Sequence, residues 1–354
     1  MAETGFFSEL ADKRFVPDVV LDFSNGNEKA LIISDLHMGA SKRDDLSENG
    51  LLLTGLLENY YYKQGWNLIL NGDVEELQKY RLDCIEEKWK TLIQVFNLFA
   101  AQNRLYKITG NHDAELLLKK NYRFPLYNVI KINTGYMPAY IYHGHQSSNF
   151  YFRFNKLMGA AVRYVLKPLG IKNITSARSP YKRFNVEKAA YRFSLENNCI
   201  SIIGHTHRPL FESLGRFDFI KFEIERLCRD YPASSGEERR RIETEVSALR
   251  KELGKLKRKE RRDVLRQSLY GDELPVPCLF NSGSAISKKG LTAIELSGED
   301  IALVYWFEEG RGRRFINRGG YEIEKQDGTP FCRAVLNHGR LDYISARIRL
   351  LGKM

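Results

Sequence analysis

The chain predicts an α/β fold in which a mainly parallel sheet, flanked by helices, is completed by a second sheet into a sandwich and interrupted by helical insertions. Three observations predict it. Short apolar runs alternate with stretches whose apolar residues recur at helical spacing. Each run ends abruptly at a small group of Asp, Asn, His and Gly. The first three of these endings, at Asp35, Asp73 and Asn111, are equally spaced, each interval long enough for one strand–helix–strand crossover of roughly 30 residues or more.

Taken in order, residues 29–34 (KALIIS) stop at Asp35-Leu36-His37, residues 66–70 (WNLIL) at Asn71-Gly72-Asp73, and residues 104–109 (RLYKIT) at Gly110-Asn111-His112-Asp113. Helical spacing fills the gaps, with Leu51, Leu52, Leu56 and Leu57 in 46–63 and Ile93, Val95, Phe96 and Phe99 in 82–102. Residues 138–142 (PAYIY) then run into His143-Gly144-His145, and 199–203 (CISII) into Gly204-His205-Thr206-His207. After PCLFNSGSAIS at 277–287 come LTAIEL and IALVYWF, which read as the second sheet of the sandwich. Ligands of open α/β sheets bind beyond the carboxyl ends of the strands, where these polar groups fall.

Two segments depart from the alternation. Residues 147–195 mix aromatics with bases, as in NFYFRFNKLM, and read as a cap-like insertion. Residues 212–268 read as a helical hairpin turning at 231–236, with Ile242, Val246, Leu249, Leu253 and Leu256 forming a seam for one partner helix. The basic stretch from 311 to 354 suggests no fold of its own.

With 354 residues, 43% hydrophobic and 28% charged, the chain can bury a large core and is not globally disordered. A net charge of +11 suits an acidic partner: a phosphate ester, a nucleic acid or an anionic membrane. Five scattered cysteines without CxxC spacing fit a reducing, cytoplasmic setting. The opening MAETGFFSELADKRF does not read as a signal peptide, and no apolar run approaches the length of a membrane span.

Six of the seven histidines (His37, His112, His143, His145, His205 and His207) fall at strand ends, together with Asp35, Asp73 and Asn111. One histidine on an apolar element is usually a satisfied core residue. Six grouped with carboxylates at equivalent places would leave many desolvated polar groups unexplained unless they hold something. Imidazole and carboxylate without thiolate suits Mn, Fe, Zn, Ni or Co rather than a structural zinc site. The candidates are too many for one ion and enough for two sharing a carboxylate, an arrangement suited to in-line displacement at phosphorus.

In this order, D-x-H (Asp35 to His37), G-D (Gly72-Asp73), G-N-H-D (Gly110 to Asp113), H-G-H (His143 to His145) and G-H-T-H (Gly204 to His207) resemble the calcineurin-like metallophosphoesterase family, as does the N-x-G-S loop at Asn281 to Ser284. The resemblance implies a sandwich of two mixed β-sheets flanked by helices, over residues 25–310. It also implies a dinuclear hydrolase of phosphate esters or anhydrides using a hydroxide between two divalent ions, Mn2+ first among them. Asp35, His37, Asp73 and His207 would hold one ion, and Asp73, Asn111, His143 and His205 the other. His112 would stand beside the phosphoryl group as imidazolium. Asp113 would either orient His112 or cap a helix starting at Ala114. His145 and Glu76 would support the ligands from behind.

GDVEELQ lacks the G-D-x-x-D-R-G of the protein Ser/Thr phosphatases. The layout is closer to UDP-2,3-diacylglucosamine hydrolases, through Asp35-Leu36-His37, Gly72 to Glu76 and Gly204 to Pro209, although those enzymes show G-N-R-D and H-G-D where this chain has G-N-H-D and H-G-H. Under that reading 147–195 would meet a lipid substrate at a membrane surface. A nuclease, and an interaction protein using 212–268 for self-association or nucleic-acid binding, are the other readings.

Overall fold

The computed structural model describes residues 15–147, 180–214, 216–260, 276–312, 316, 321 and 323–352. The first half runs β1 (Val19–Asp22), β2 (Lys29–Ile33), α1 (Gly50–Leu56, prolonged by a π-helical turn Leu57–Tyr62), β3 (Asn67–Asn71), α2 (Leu82–Lys88), α3 (Lys90–Ala101), β4 (Leu105–Ile108), β5 (Leu126–Tyr127), β6 (Val129–Asn133) and β7 (Pro138–Tyr142). The second half runs α4 (Pro180–Asn197), β8 (Ile200–Ile203), α5 (Arg216–Asp230), α6 (Gly236–Glu260), β9 (Leu279–Asn281), β10 (Leu291–Ser297), β11 (Asp300–Glu308), β12 (Ile323–Lys325), β13 (Phe331–Arg340) and α7 (Leu341–Leu351).

Two mixed sheets form. The larger has the order β12-β13-β11-β10-β2-β3-β4-β5, and the smaller β1-β6-β7-β8-β9. β2, β3, β4 and β5 are parallel, and β10 joins β2 antiparallel. Alternation along each strand sorts the apolar residues into two layers. Ala30, Ile32 and Ile69 of the larger sheet share one cluster with Ile130, Ile141 and Ile202 of the smaller. The opposite set, Leu31, Ile33, Leu68 and Leu70, packs with Leu52, Leu56, Leu92, Phe96 and Phe99 of the helices. Strands buried on both faces need near-continuous apolar sequence, which KALII and NLIL supply.

Three expectations are corrected. β10 and β11 do not build the second sheet; they extend the first, because β10 pairs with β2 from Ile294↔Ile32 to Ser297↔Lys29. The second sheet is instead made by the strands that lead to the two late histidine groups, so the strand ends belong to two sheets rather than one. The region after 310 is also not a separate extension. β13 pairs with β11 along its length, from Phe331↔Glu308 to Arg340↔Asp300, and α7 buries Leu341, Ile344 and Ile348 in the main core. Finally, the helix expected over 82–102 is two helices meeting at Trp89, whose indole N–H donates to Gly39 O at 2.8 Å.

The hairpin is present as α5 and α6. Its seam is already filled: Ile242, Val246, Leu249 and Leu253 pack against Ile220, Ile224 and Leu227 of the same chain. Self-association through that seam would have to displace α5. Of the insertion at 147–195, residues 148–179 lie outside those described, and its return is α4, which buries Val186, Ala190 and Tyr191. No described helix is long and apolar enough to cross a membrane. All five cysteines are free.

Candidate metal centre

The ends of β2, β3 and β4 meet the ends of β7 and β8 at one rim. Backbone hydrogen bonds continue the ladder beyond the strands, with Asp35 N–H donating to Gly72 O (3.1 Å), His37 N–H to Asp73 O (2.9 Å) and Gly204 N–H to His143 O (3.0 Å). Side chains join the two sheets: His143 Nδ1 meets Asn71 O at 2.8 Å, and Ser34 and Ser282 share a hydrogen bond at 2.8 Å. Asn281 donates to Gly204 O and Thr206 Oγ1, so the N-x-G-S loop braces the loop that carries His205 and His207.

The backbone at this rim is strained. Asp35 (φ 55°), His37 (46°), Asp73 (53°), His205 (63°) and His207 (55°) all occupy the left-handed region, which is uncommon for residues with a Cβ. Such conformations cost of order 1–3 kcal/mol each and persist where the surroundings over-determine them. They turn the five side chains toward one another. Gly72 (φ 81°) lies against the His143 ring, and Gly110 against Asp73, so closely that a Cβ at either would overlap its neighbour.

Each donor presents one free face. Asp35 Oδ2 accepts from Ser34 Oγ (2.6 Å) and His205 N–H (2.9 Å), which leaves Oδ1 near His207 Nε2 (3.1 Å) and His37 Nε2 (3.9 Å). Asp73 Oδ1 accepts from His112 N–H at 2.8 Å; its Oδ2 lies 3.1 Å from His143 Nε2 and 4.0 Å from His37 Nε2. His205 Nδ1 and His143 Nε2 are 3.3 Å apart, as are His37 Nε2 and His207 Nε2. Among the described residues three groups of converging donors result, Asp35–His37–His207, His37–Glu76–His112 and Asp73–His143–His205, with Asp73 Oδ2 of the last lying 4.0 Å from His37 Nε2 of the first two.

The donor set fits divalent cations. Imidazole nitrogens that face each other or a carboxylate need a proton or a cation between them. The Nδ1 atoms of His143 and His37 are taken up by Asn71 O and Glu76 Oε2, so each Nε2 points inward in the tautomer a cation requires. Asn111 Oδ1 is buried and has no hydrogen-bond partner among the described residues, as a carbonyl oxygen awaiting a cation would be.

The electrostatics of the site are set by burial and by its carboxylates and imidazoles acting on one another. Burial would raise Asp35, but His207 and His143 hold it down to about 2. Asp73 lies well below the usual carboxylate range because His143, His112 and His37 outweigh its burial. Burial, with His143 beside it, lowers His205 to about 3. For His143 burial is outweighed by Asp73, and its pKa rises to about 9.

His112 stands at the edge of the group, its Nε2 4.0 Å from Asp73 Oδ2 and its Nδ1 2.8 Å from Glu76 Oε1. Burial opposes charging it, yet Asp73 and Glu76 raise its pKa. Glu76 thus holds His112 with one oxygen and His37 with the other. Both expectations for Asp113 are overturned. The His112 ring is held by Glu76 rather than by Asp113, and Asp113 makes no side-chain cap for the 3-10 turn Ala114–Leu118. Its carboxylate accepts instead from Val74 N–H (2.8 Å), Gly110 N–H (2.6 Å) and Lys107 Nζ (3.2 Å), because it is drawn under the loop by a buried ammonium. His145 is buried behind His143 and His205, with ring centroids 5.4 and 6.3 Å away.

Sequence reasoning missed Lys107 and Glu75. The available signal was a lysine inside an apolar strand read, LYKI, next to the motif. It also missed Glu187 of α4, which accepts from Thr206 Oγ1 (2.9 Å) and is paired with Arg208.

No protein-family model matches this chain, and no curated protein sequence does. Among solved structures it is similar to YfcE, a phosphoesterase from E. coli, at 12% identity and TM-score 0.33 over 77% of this chain and 91% of that one. It is similar also to a single-mutant Vps29 from Entamoeba histolytica, at 11% identity and TM-score 0.34 over 87% and 99% of the two chains. A third similarity is to Vacuolar Protein Sorting 29 from Cryptosporidium parvum, at 11% identity and TM-score 0.34 over 80% and 93%.

Proposed function

We propose that the chain is a dinuclear-metal phosphohydrolase of the calcineurin-like type, acting on phosphate esters or anhydrides. One observation carries the reading: Asp73 Oδ2 lies between two groups of converging donors, 3.1 Å from His143 Nε2 on one side and 4.0 Å from His37 Nε2 on the other. Asp35, His37, His207 and Asp73 would hold one cation, and Asp73, Asn111, His143 and His205 the second. Two such cations supply Lewis acidity and an activated water at neutral pH.

The chain's own residues supply the remainder. Asp35 and Asp73 each anchor one oxygen on backbone N–H or hydroxyl groups, so the other stays aimed without reorganisation. Burial opposes the protonated form of His112 and Asp73 and Glu76 favour it; its Nε2 lies 4.0 Å from Asp73 Oδ2. There the protonated ring donates a hydrogen bond to a non-bridging phosphoryl oxygen, or its proton to the leaving oxygen. Glu76 fixes the tautomer and orientation of His112 and of His37 together.

Purified protein loaded with Mn2+ and offered aryl phosphate monoesters and diesters tests this directly. Turnover that disappears with chelator and returns with Mn2+ is expected. Absence of turnover with any transition cation would favour an interaction protein built on a retired site. A wider panel of nucleotide-sugar diphosphates and DNA separates the acylglucosamine-type and nuclease readings from a simple phosphoesterase.

A further inference from the structure

We propose that Lys107, Asp113 and Glu75 form a buried ionic lock that positions the loops presenting Asp73 and Asn111, and so sets the cation affinity of the centre; this rests on the dinuclear reading above. Lys107 lies on β4, opposite Leu70 of β3 and Leu126 of β5, on the face of the sheet that packs against the helices. Its side chain is 0% exposed. That is a position for a leucine or a methionine, and burying an ammonium there costs several kcal/mol unless it is paired. Glu75 Oε2 lies 2.6 Å from its Nζ and Asp113 Oδ2 3.2 Å.

The placement of the two partners gives the pairing its meaning. Glu75 follows Asp73 by two residues, and Asp113 follows Asn111 by two. Asp113 also grips the backbone of both loops, accepting from Val74 N–H on the first and Gly110 N–H on the second. Tyr122 closes the outer side, donating its hydroxyl to Glu75 Oε1 at 2.7 Å. One ammonium therefore ties the loop after β3 to the loop after β4. Gly110 packs directly on the Asp73 carboxylate, so slack in either loop moves the bridging oxygen. Cation sites tolerate roughly 0.5 Å of misplacement, and losing the groups that orient ligands typically costs about 10–100-fold in metal affinity.

Co2+ affinity, read from the visible d–d absorption, with thermal unfolding measured alongside, tests the lock. Asp113→Asn keeps the shape of the acceptor and should weaken Co2+ binding about 10–100-fold. Tyr122→Phe, at the accessible edge, should weaken it by a smaller factor and leaves folding intact even if Lys107→Met does not fold. Tyr61→Phe is the comparison: it breaks a different buried network on the same sheet, with Glu295 and Trp306, and should lower the melting temperature with Co2+ affinity unchanged. Unchanged Co2+ affinity in Asp113→Asn and Tyr122→Phe would overturn the lock, whatever their stability. A wild-type chain that binds no Co2+ would instead remove the dinuclear reading on which the lock rests.

Discussion

The backbone N–H of His112 donates to Asp73 Oδ1 at 2.8 Å, so the candidate acid and the Asp73 carboxylate are mechanically joined. Neither the bond nor its geometry depends on the imidazole. Replacing His112 by Asn should therefore leave metal content unchanged and slow turnover by roughly 10²–10⁴-fold, the usual contribution of a positioned acid. Metal analysis beside kcat reads both. Loss of metal in this variant would make His112 a ligand instead.

Gly110 fills the space beside Asp73 with nothing but hydrogen, and a methyl group there meets both the carboxylate and the Asp73 backbone nitrogen. Gly110→Ala should lower stability by about 1–3 kcal/mol, in the range of core overpacking. It should also lose most of the Mn2+-dependent rise in melting temperature that mass action predicts for a wild type that binds Mn2+. A variant with an unshifted midpoint and full Mn2+ stabilisation would show that the loop relaxes freely.

Metal uptake should release protons. In the metal-free chain burial alone would depress His143, but Asp73 raises it to about 9, so at pH 7 it carries a proton that a cation must displace. Affinity should thus rise with pH up to about 9, by about tenfold per pH unit for each proton displaced. Calorimetry in buffers of different ionisation heat measures the release. Cation binding with no proton exchange between pH 6 and 8 would contradict the assignment of His143 as a ligand.

The α5–α6 hairpin has its own small core, in which Ile242 and Leu249 are buried against Ile220 and Leu227. Ile242→Ala should destabilise it by about 2–5 kcal/mol, enough to melt so small a cluster locally. Helical content by circular dichroism should fall while Mn2+-dependent turnover persists. An accompanying loss of turnover would tie the hairpin to the centre.

How far the sequence carried follows from which interactions are local. KALII, NLIL and LYKI announce buried strands through composition alone, and the polar groups that end them are visible because nothing else explains so many histidines at such places. What pairs with β2 is decided by long-range register, so LTAIEL was read into the wrong sheet. β13 is half-polar and β12 exposed, which hid both from a reading by apolar pattern. Asp113 was misread because its partner, Lys107, lies on the preceding strand and is invisible to motif spacing. The left-handed φ values at Asp35, His37, Asp73, His205 and His207 have no local signature, since each is imposed by the surrounding hydrogen bonds.

Electron paramagnetic resonance of the Mn2+-loaded protein tests the shared carboxylate most directly. A signal from an exchange-coupled pair, with two ions per chain, is predicted for the wild type, and its collapse together with turnover for Asp73→Asn. Isolated single-ion spectra at full loading, or a coupled pair that survives Asp73→Asn, would contradict it.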